Sequence, residues 1–372
     1  MEAKEFIKIV GVEFFVGVPD SLLKGFCDYV FDKFGTDKTR HIIAANEGNC
    51  CAIGAGYHLA TGKVPLVYMQ NSGIGNIINP AASLLHNKVY GIPVIFLIGF
   101  RGEPFINDEP QHIFQGEITL RLLEDMDISY FLIDKNTTEE QLKDKMVDFN
   151  MALKEGKSVA FVAKKDALTS NKSIKYFNKF PLNREEVISC LAEVSGKDIV
   201  VSTTGKISRE LYEIREKKGQ KHGFDFLTVG SMGHSSSIAL GIASFKPQRK
   251  IWCIDGDGAA LMHLGAMAIL GEKAPENLVH IIINNAAHES VGGMPTAAEK
   301  IDFPSLAKSL GYKYAVSVST MEELKKELQN AKVRDELSLI EIKCSLGSRS
   351  DLGRPTKTPK ENKLAFIEEL AK

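Results

Sequence analysis

Two short stretches carry residue types at a spacing that could do chemistry. In "WCIDGDGAALMH", Trp252 to His263, Asp257 sits between Gly256 and Gly258 where an apolar run ends. In "IIINNAAHES", Asn285 follows 28 positions later, just past a second apolar run. The runs "KIWCI" and "LVHIII" read as buried strands. "AALMHLGAMAIL" between them reads as one helix, with apolar residues returning at three and four positions. A strand–helix–strand crossover of that length brings both strand ends to the same edge of a sheet. One carboxylate (Asp257), one amide oxygen (Asn285) and one main-chain carbonyl, assigned to Ala287, would then converge. Hard oxygen ligands in small number suit Mg²⁺, which keeps waters and leans on a phosphate-bearing partner. The amides of Gly258, Ala259 and Ala260 would open the helix and meet an anion. A bare GDG is a common tight turn, so the chemistry rests on its pairing with NN.

Further candidates lie at other strand ends. Glu47 follows the apolar "HIIAA" and opens a helix of small residues, "NEGNCCAIGAGYHLATG". It reads either as a charge complementing the helix dipole or as a buried carboxylate that moves a proton. Asp20 and Ser21, in "VPDSLL", end the first strand, where either could cap the next helix or serve the site. His112 and Gln115, in "DEPQHIFQG", are assigned to a loop, where a histidine can donate a proton or bind a carboxylate. His234 and His288 divide evenly between a ligand-facing and a structural role. Arg349 and Arg354, in "GSRSDLGRPTKTPKE", fall in a Gly/Pro/Ser loop after the last strand. They read as a solvated basic tail or as a planar fork for a dianion, with Arg101 and Lys206 competing for the second role.

The elements that must position these residues follow a simple rhythm. Strands alternate with helices from "EFFVGVP" through "HIIAA" and "VPLVYMQ" to "IPVIFLIGF", which closes the first series near Arg101. The alternation resumes after a polar, basic tract and runs to "ELSLIEIKC". This predicts two doubly wound α/β domains with parallel sheets, 1–165 and 183–372, joined by a linker over 166–182. A length of 372 residues fits two domains. A hydrophobic fraction of 44% with 25% charged residues describes an ordinary globular protein, and a net charge of −1 gives nothing that draws it to nucleic acid or anionic membrane through bulk charge. The start, "MEAKEFIKIVGVEFF", lacks the apolar core of a secretory signal. Six scattered cysteines with no CxxC pair point to reduced cytoplasmic thiols, with no disulfide framework and no zinc site expected.

GDG followed at this interval by NN resembles the diphosphate-binding signature of thiamine-diphosphate enzymes. The chain also resembles, through "FVGVPDSLL", "NSGIGNIINP", "RGEP…DEPQHIFQGEIT", "GDGAALMHLGAMA", "NNAAHESVGG" and "GSRSDLGRP", the phosphonopyruvate decarboxylase branch of the 2-oxo acid decarboxylases. Sulfopyruvate decarboxylases are close cousins. The resemblance implies thiamine diphosphate and Mg²⁺ as cofactors, a pyrimidine-binding domain first, a diphosphate-binding domain second, and no middle domain. It implies that Glu47 activates the cofactor, that the Gly230 carbonyl accepts from the aminopyrimidine, and that Met232 props the bent cofactor. Asp20 and His112 would move protons, and Ser21, Gln115, Arg349 and Arg354 would meet the substrate, phosphonopyruvate. The implied working unit is a homo-oligomer, at least a dimer, with active sites shared between subunits. The implied place is phosphonate biosynthesis, and a noncatalytic thiamine-diphosphate-binding subunit is the alternative from another class.

Overall fold

The apolar runs of the first half become β1 (Phe15–Gly17), β2 (His41–Ile43), β3 (Leu66–Gln70), β4 (Ile95–Gly99), β5 (Ser129–Ile133) and β6 (Val159–Ala163). A computed structural model describes residues 1–106 and 108–372, which divide into a first unit, Met1–Lys175, and a second, Tyr176–Lys372. The six strands pair in parallel in the order β2-β1-β3-β4-β6-β5. Every residue of β4 and β6 is buried, as expected where helices cover both faces of a parallel sheet. Phe161 of β6 meets Phe6 and Phe149 edge-on, each at 5.2 Å between ring centroids. Such pairs add about 0.5–1.5 kcal/mol beyond the apolar area they bury. The series does not close near Arg101. "SYFLI" and "VAFVA" supply two further strands, runs of only five residues that the sequence reading passed over.

The second unit contains β7 (Ile199–Ser202), β8 (Asp225–Leu227), β9 (Ile251–Gly256), β10 (Leu278–Asn284), β11 (Tyr314–Val318) and β12 (Ser338–Lys343). Their order is β11-β12-β10-β9-β7-β8, all parallel. Read from the other edge, this is the strand order of the first unit repeated. The chain is therefore built from two doubly wound parallel sheets of one topology, and it divides into no third unit. Strand order reverses between β1 and β3, and between β7 and β9, and the crevice beyond such strand ends is where α/β sheets bind ligands.

Two local expectations are corrected. The stretch after the GDG is two helices, Asp257–Met262 and Gly265–Lys273, separated at His263, whose φ of −131° and ψ of 51° leave the helical region. His112 and Gln115 lie in the helix Pro110–Asp125, started by Pro110 at its first position, and so are not in a loop. The basic stretch after the last strand is mostly exposed and leads into a packed helix: Thr358 and Glu361 form a capping box for the helix Pro359–Leu370. Buried Asn362 of that helix accepts from the Leu227 N–H at 3.1 Å and donates to the Asp225 carbonyl at 2.8 Å. The polar tract between the domains is absorbed at both ends. Thr169 exchanges main-chain hydrogen bonds with Ala3 and Met1 in the first unit, and Leu182 bridges to Cys344 in the second.

Candidate active site

In the second unit, Asp257 and Asn285 extend from neighbouring strands β9 and β10, so the parallel register sets them side by side. Asp257 is 3% exposed, and its carboxylate receives the N–H groups of Gly258, Asn285 and its own residue. Thr296 adds a hydroxyl donor at 2.5 Å. The loop carrying Thr296 folds back through the His288 N–H to Met294 carbonyl bond (2.8 Å) and the Thr296 N–H to Ala286 carbonyl bond (2.9 Å). Burial pushes the Asp257 carboxyl up to about 6, against the pull of its donors. Asn285 is 7% exposed, its amide nitrogen donates to Glu289 at 2.7 Å, and its amide oxygen takes the Ala287 N–H at 3.1 Å. Asn178 Nδ2 donates to the Asn285 main-chain carbonyl at 2.8 Å and fixes the turn from the other side.

This donor set suits a hard cation: one anchored carboxylate beside one amide oxygen, held by main-chain bonds that fix their direction. Behind it, Glu289 draws in Arg184 (2.5 Å) and Lys206 (3.0 Å), while Arg184 grips buried Glu210 through two bonds of 2.8 and 2.7 Å. Lys206 is thus tied to a carboxylate. A Cβ placed on Gly258 would stand 3.5 Å from Met232 Cε and from His288 Nδ1, so both side chains lie over the Gly-Asp-Gly turn. Burial holds His288 down at about 4, which keeps it neutral. Gly230, at φ 70°, donates its N–H to Thr204 Oγ1 at 3.1 Å. Gly256 precedes Asp257, and Ala259 is buried within the following turn. The hydroxyls of Thr203, Thr228 and Ser235 are buried without a hydrogen-bond partner at the carboxyl-terminal edge of this sheet. Such orphans mark a place where a polar ligand completes the bonding. His234 is exposed and packs on the His263 ring at 4.3 Å.

In the first unit, Glu47 is the first residue of the helix Glu47–Thr61, which Asn46 caps by accepting from the Asn49 N–H. It is 5% exposed, and Asn76 Nδ2 donates to its Oε2 at 2.7 Å. Burial raises its carboxyl, and Asn76 offsets that only in part. A Cβ on Gly73 would stand 2.5 Å from the Glu47 carboxyl carbon, so this position must stay bare for the carboxylate to lie where it does. Asp20 is fully buried, accepting from Gln70 Nε2 at 2.6 Å and from the Leu22 N–H at 3.1 Å, and burial raises its carboxyl as well. A Cβ on Gly99 would stand 2.0 Å from Asp20 Oδ2.

Arg101, just past β4, places Nη1 3.3 Å from the Ser21 hydroxyl and holds Asp108 through two contacts. Its backbone is pinned by Asn71, which donates to the Arg101 carbonyl at 2.8 Å and accepts its N–H at 3.1 Å. Burial, then the Arg101 charge, lower the neighbouring His112, whose Nδ1 is 3.3 Å from Gln115 Oε1. Asp20, Ser21, Gln70, Arg101 and His112 thus gather at the strand ends of this sheet. Arg349 is placed differently: it binds Glu185 at 3.0 and 2.8 Å, Asp351 at 3.0 Å, and Glu213. Three carboxylates surround that guanidinium, so it secures its own loop, and Arg354 lies exposed further along. The sequence reading missed Asn76, Gly73, Gln70, Thr296 and Asn178. For Gly73 and Asn76, the Gly/Asn-rich "NSGIGNIINP" was the available signal.

Two doubly wound domains, one with a buried helix-opening glutamate and the other with paired Asp257 and Asn285, define a class. The chain belongs to the thiamine pyrophosphate enzymes: residues 5–124 match the N-terminal TPP binding domain and residues 203–342 the C-terminal TPP binding domain. Among curated relatives it is 33% identical to phosphonopyruvate decarboxylase of Streptomyces viridochromogenes, over 95% of this chain and 90% of that one. It is 32% identical to phosphonopyruvate decarboxylase of Streptomyces hygroscopicus, over 96% of this chain and 90% of the other. Sulfopyruvate decarboxylase of Methanosarcina acetivorans is more distant, at 28% over 98% of this chain and 96% of that protein.

Proposed function

We propose that this chain is a carboxy-lyase that converts 3-phosphonopyruvate to phosphonoacetaldehyde and carbon dioxide, with thiamine diphosphate and Mg²⁺, in phosphonate biosynthesis. The observation that carries the reading is the buried, donor-anchored Asp257 beside Asn285 at adjacent strand ends. Together with the Ala287 carbonyl, these residues would hold Mg²⁺, while Gly256, Gly258 and Ala259 shape the turn that receives the diphosphate. The cofactor, when bound, supplies the electron sink for loss of carbon dioxide. Glu47 would exchange a proton with the cofactor ring, and its burial, which favours the neutral form, suits a group that must both take and give one. Gly230 and Met232 would contact the cofactor on its other side.

Asp20, whose carboxyl is raised by burial, and His112, whose imidazole is lowered by burial, would handle protons of the reacting substrate. For the substrate anion, Arg101 with Ser21 and Gln115 is better supported than Arg349 or Arg354, because Arg101 shares its strand-end cluster with Asp20 and His112. The chain is also read as a homo-oligomer of at least two copies. Exposed Leu59 and Tyr90 on the first unit give it apolar surface to cover, and sedimentation at working concentration tests this. The substrate reading has its own test. One charge-assisted hydrogen bond is worth about 1.5–3 kcal/mol. At about 1.4 kcal/mol per factor of ten, Arg101→Ala should lose roughly 10- to 150-fold in kcat/KM on phosphonopyruvate. Pyruvate, which lacks the second anion, should lose far less. Arg349→Ala should affect both substrates equally. The reverse pattern would return the anion to the Arg349 loop.

A further inference from the structure

The helix-covered face of the second sheet carries three polar side chains that the proposed chemistry does not use. Cys253 and Asp255 alternate onto one face of β9, and His280 of β10 pairs in register with Cys253. All three are 0% exposed. The Cys253 sulfur, an Asp255 carboxylate oxygen and a His280 ring nitrogen lie within 4.8 Å of one another. Asp255 and His280 are each anchored by one atom and leave the other unmet. Asp255 Oδ1 accepts the Gly256 N–H at 3.0 Å, and His280 Nδ1 pairs with the Tyr312 hydroxyl at 3.0 Å. Asp255 Oδ2 and His280 Nε2 are buried with no hydrogen-bond partner and stand 3.7 Å apart, too far to bond to each other. Leaving two such atoms unpaired in a dry interior is costly, so the gap between them calls for an occupant.

We propose that Cys253, Asp255 and His280 form a structural zinc site, distinct from the Asp257 cation site. Thiolate, imidazole and carboxylate are the zinc donor set, whereas Mg²⁺ does not take sulfur. The Tyr312 bond on Nδ1 is the outer support a ligating histidine commonly has, freeing Nε2 for the metal. On binding, the Cys253 thiol gives its proton to solvent and a sulfur–zinc bond forms. A site this enclosed loads as the chain folds. The ion would clip β9 to β10 a short distance from their ends, where Asp257 and Asn285 begin, and so fix the spacing of that pair.

The test is metal analysis of the full-length protein, expressed with added zinc or, separately, added cobalt, and washed with chelator before measurement. The wild type should retain stoichiometric zinc, and the cobalt form should show a thiolate-to-cobalt charge-transfer band. Cys253→Ala and His280→Ala should lose both signals, and Asp257→Ala should keep both. Only trace metal and no thiolate band in the wild type would overturn the site, a result that needs no variant to fold. Loss of the zinc in Asp257→Ala, or its retention in Cys253→Ala, would overturn it as well.

Discussion

Glu47 shows what a single residue costs and supplies. Its carboxyl is raised by burial, so the folded chain holds the proton more tightly than the unfolded chain does. Ionisation of the unfolded chain near pH 4.3 therefore begins to erode stability, and the loss continues until the folded carboxyl also ionises. Glu47→Gln keeps the acceptor for Asn76 and removes the buried charge. It should raise the thermal midpoint above that of the wild type at pH 8, with the gap closing as pH falls to 4. The same variant should still bind thiamine diphosphate yet lose roughly 10²- to 10⁴-fold in turnover, the usual worth of a positioned acid–base group. Wild-type turnover would reduce the glutamate to a helix-end charge. Its position was legible because a strand end and a helix start flank it in sequence. Its surroundings were not: Gly73 and Asn76 reach it only through the approach of another helix, and local pattern does not encode that approach.

At the scale of elements, buried charge decides which helices stay where they are. Arg215 and Asp225 are both 0% exposed and joined by two bonds of 3.0 Å. Arg215 also donates to the Ala192 carbonyl at 2.8 Å, tying the helices Arg184–Ser195 and Lys206–Lys217 to β8. Arg215→Met would strand the Asp225 carboxylate and should cost about 3–5 kcal/mol in denaturant unfolding. The double variant Arg215→Met, Asp225→Leu should recover much of that, and equal losses in both would mean that the arginine acts through packing alone. The strand–helix alternation was readable from apolar runs because parallel strands are buried on both faces. The helix Pro110–Asp125 was misread because its polar first turn hides the apolar spacing, and the break at His263 because an unbroken apolar period continues across it.

The whole chain repeats one strand order in two units that show no evident repeat in sequence. Topology is set by the burial pattern and crossover handedness, which many sequences satisfy. Each unit has its own core, and that of the second includes Trp252, Ile254, Ile281 and Ile340. Residues 176–372 expressed alone should therefore unfold cooperatively with near-native circular dichroism, and a molten, non-cooperative fragment would contradict that autonomy. The most direct measurement is carbon dioxide release from phosphonopyruvate, sulfopyruvate and pyruvate in parallel, with and without thiamine diphosphate and Mg²⁺, for wild type and Asp257→Ala. The account predicts fastest release from phosphonopyruvate, dependence on both cofactors, and loss in Asp257→Ala through failed cofactor binding. Preference for sulfopyruvate would reassign the substrate, and cofactor-independent release or an active Asp257→Ala would contradict the site itself.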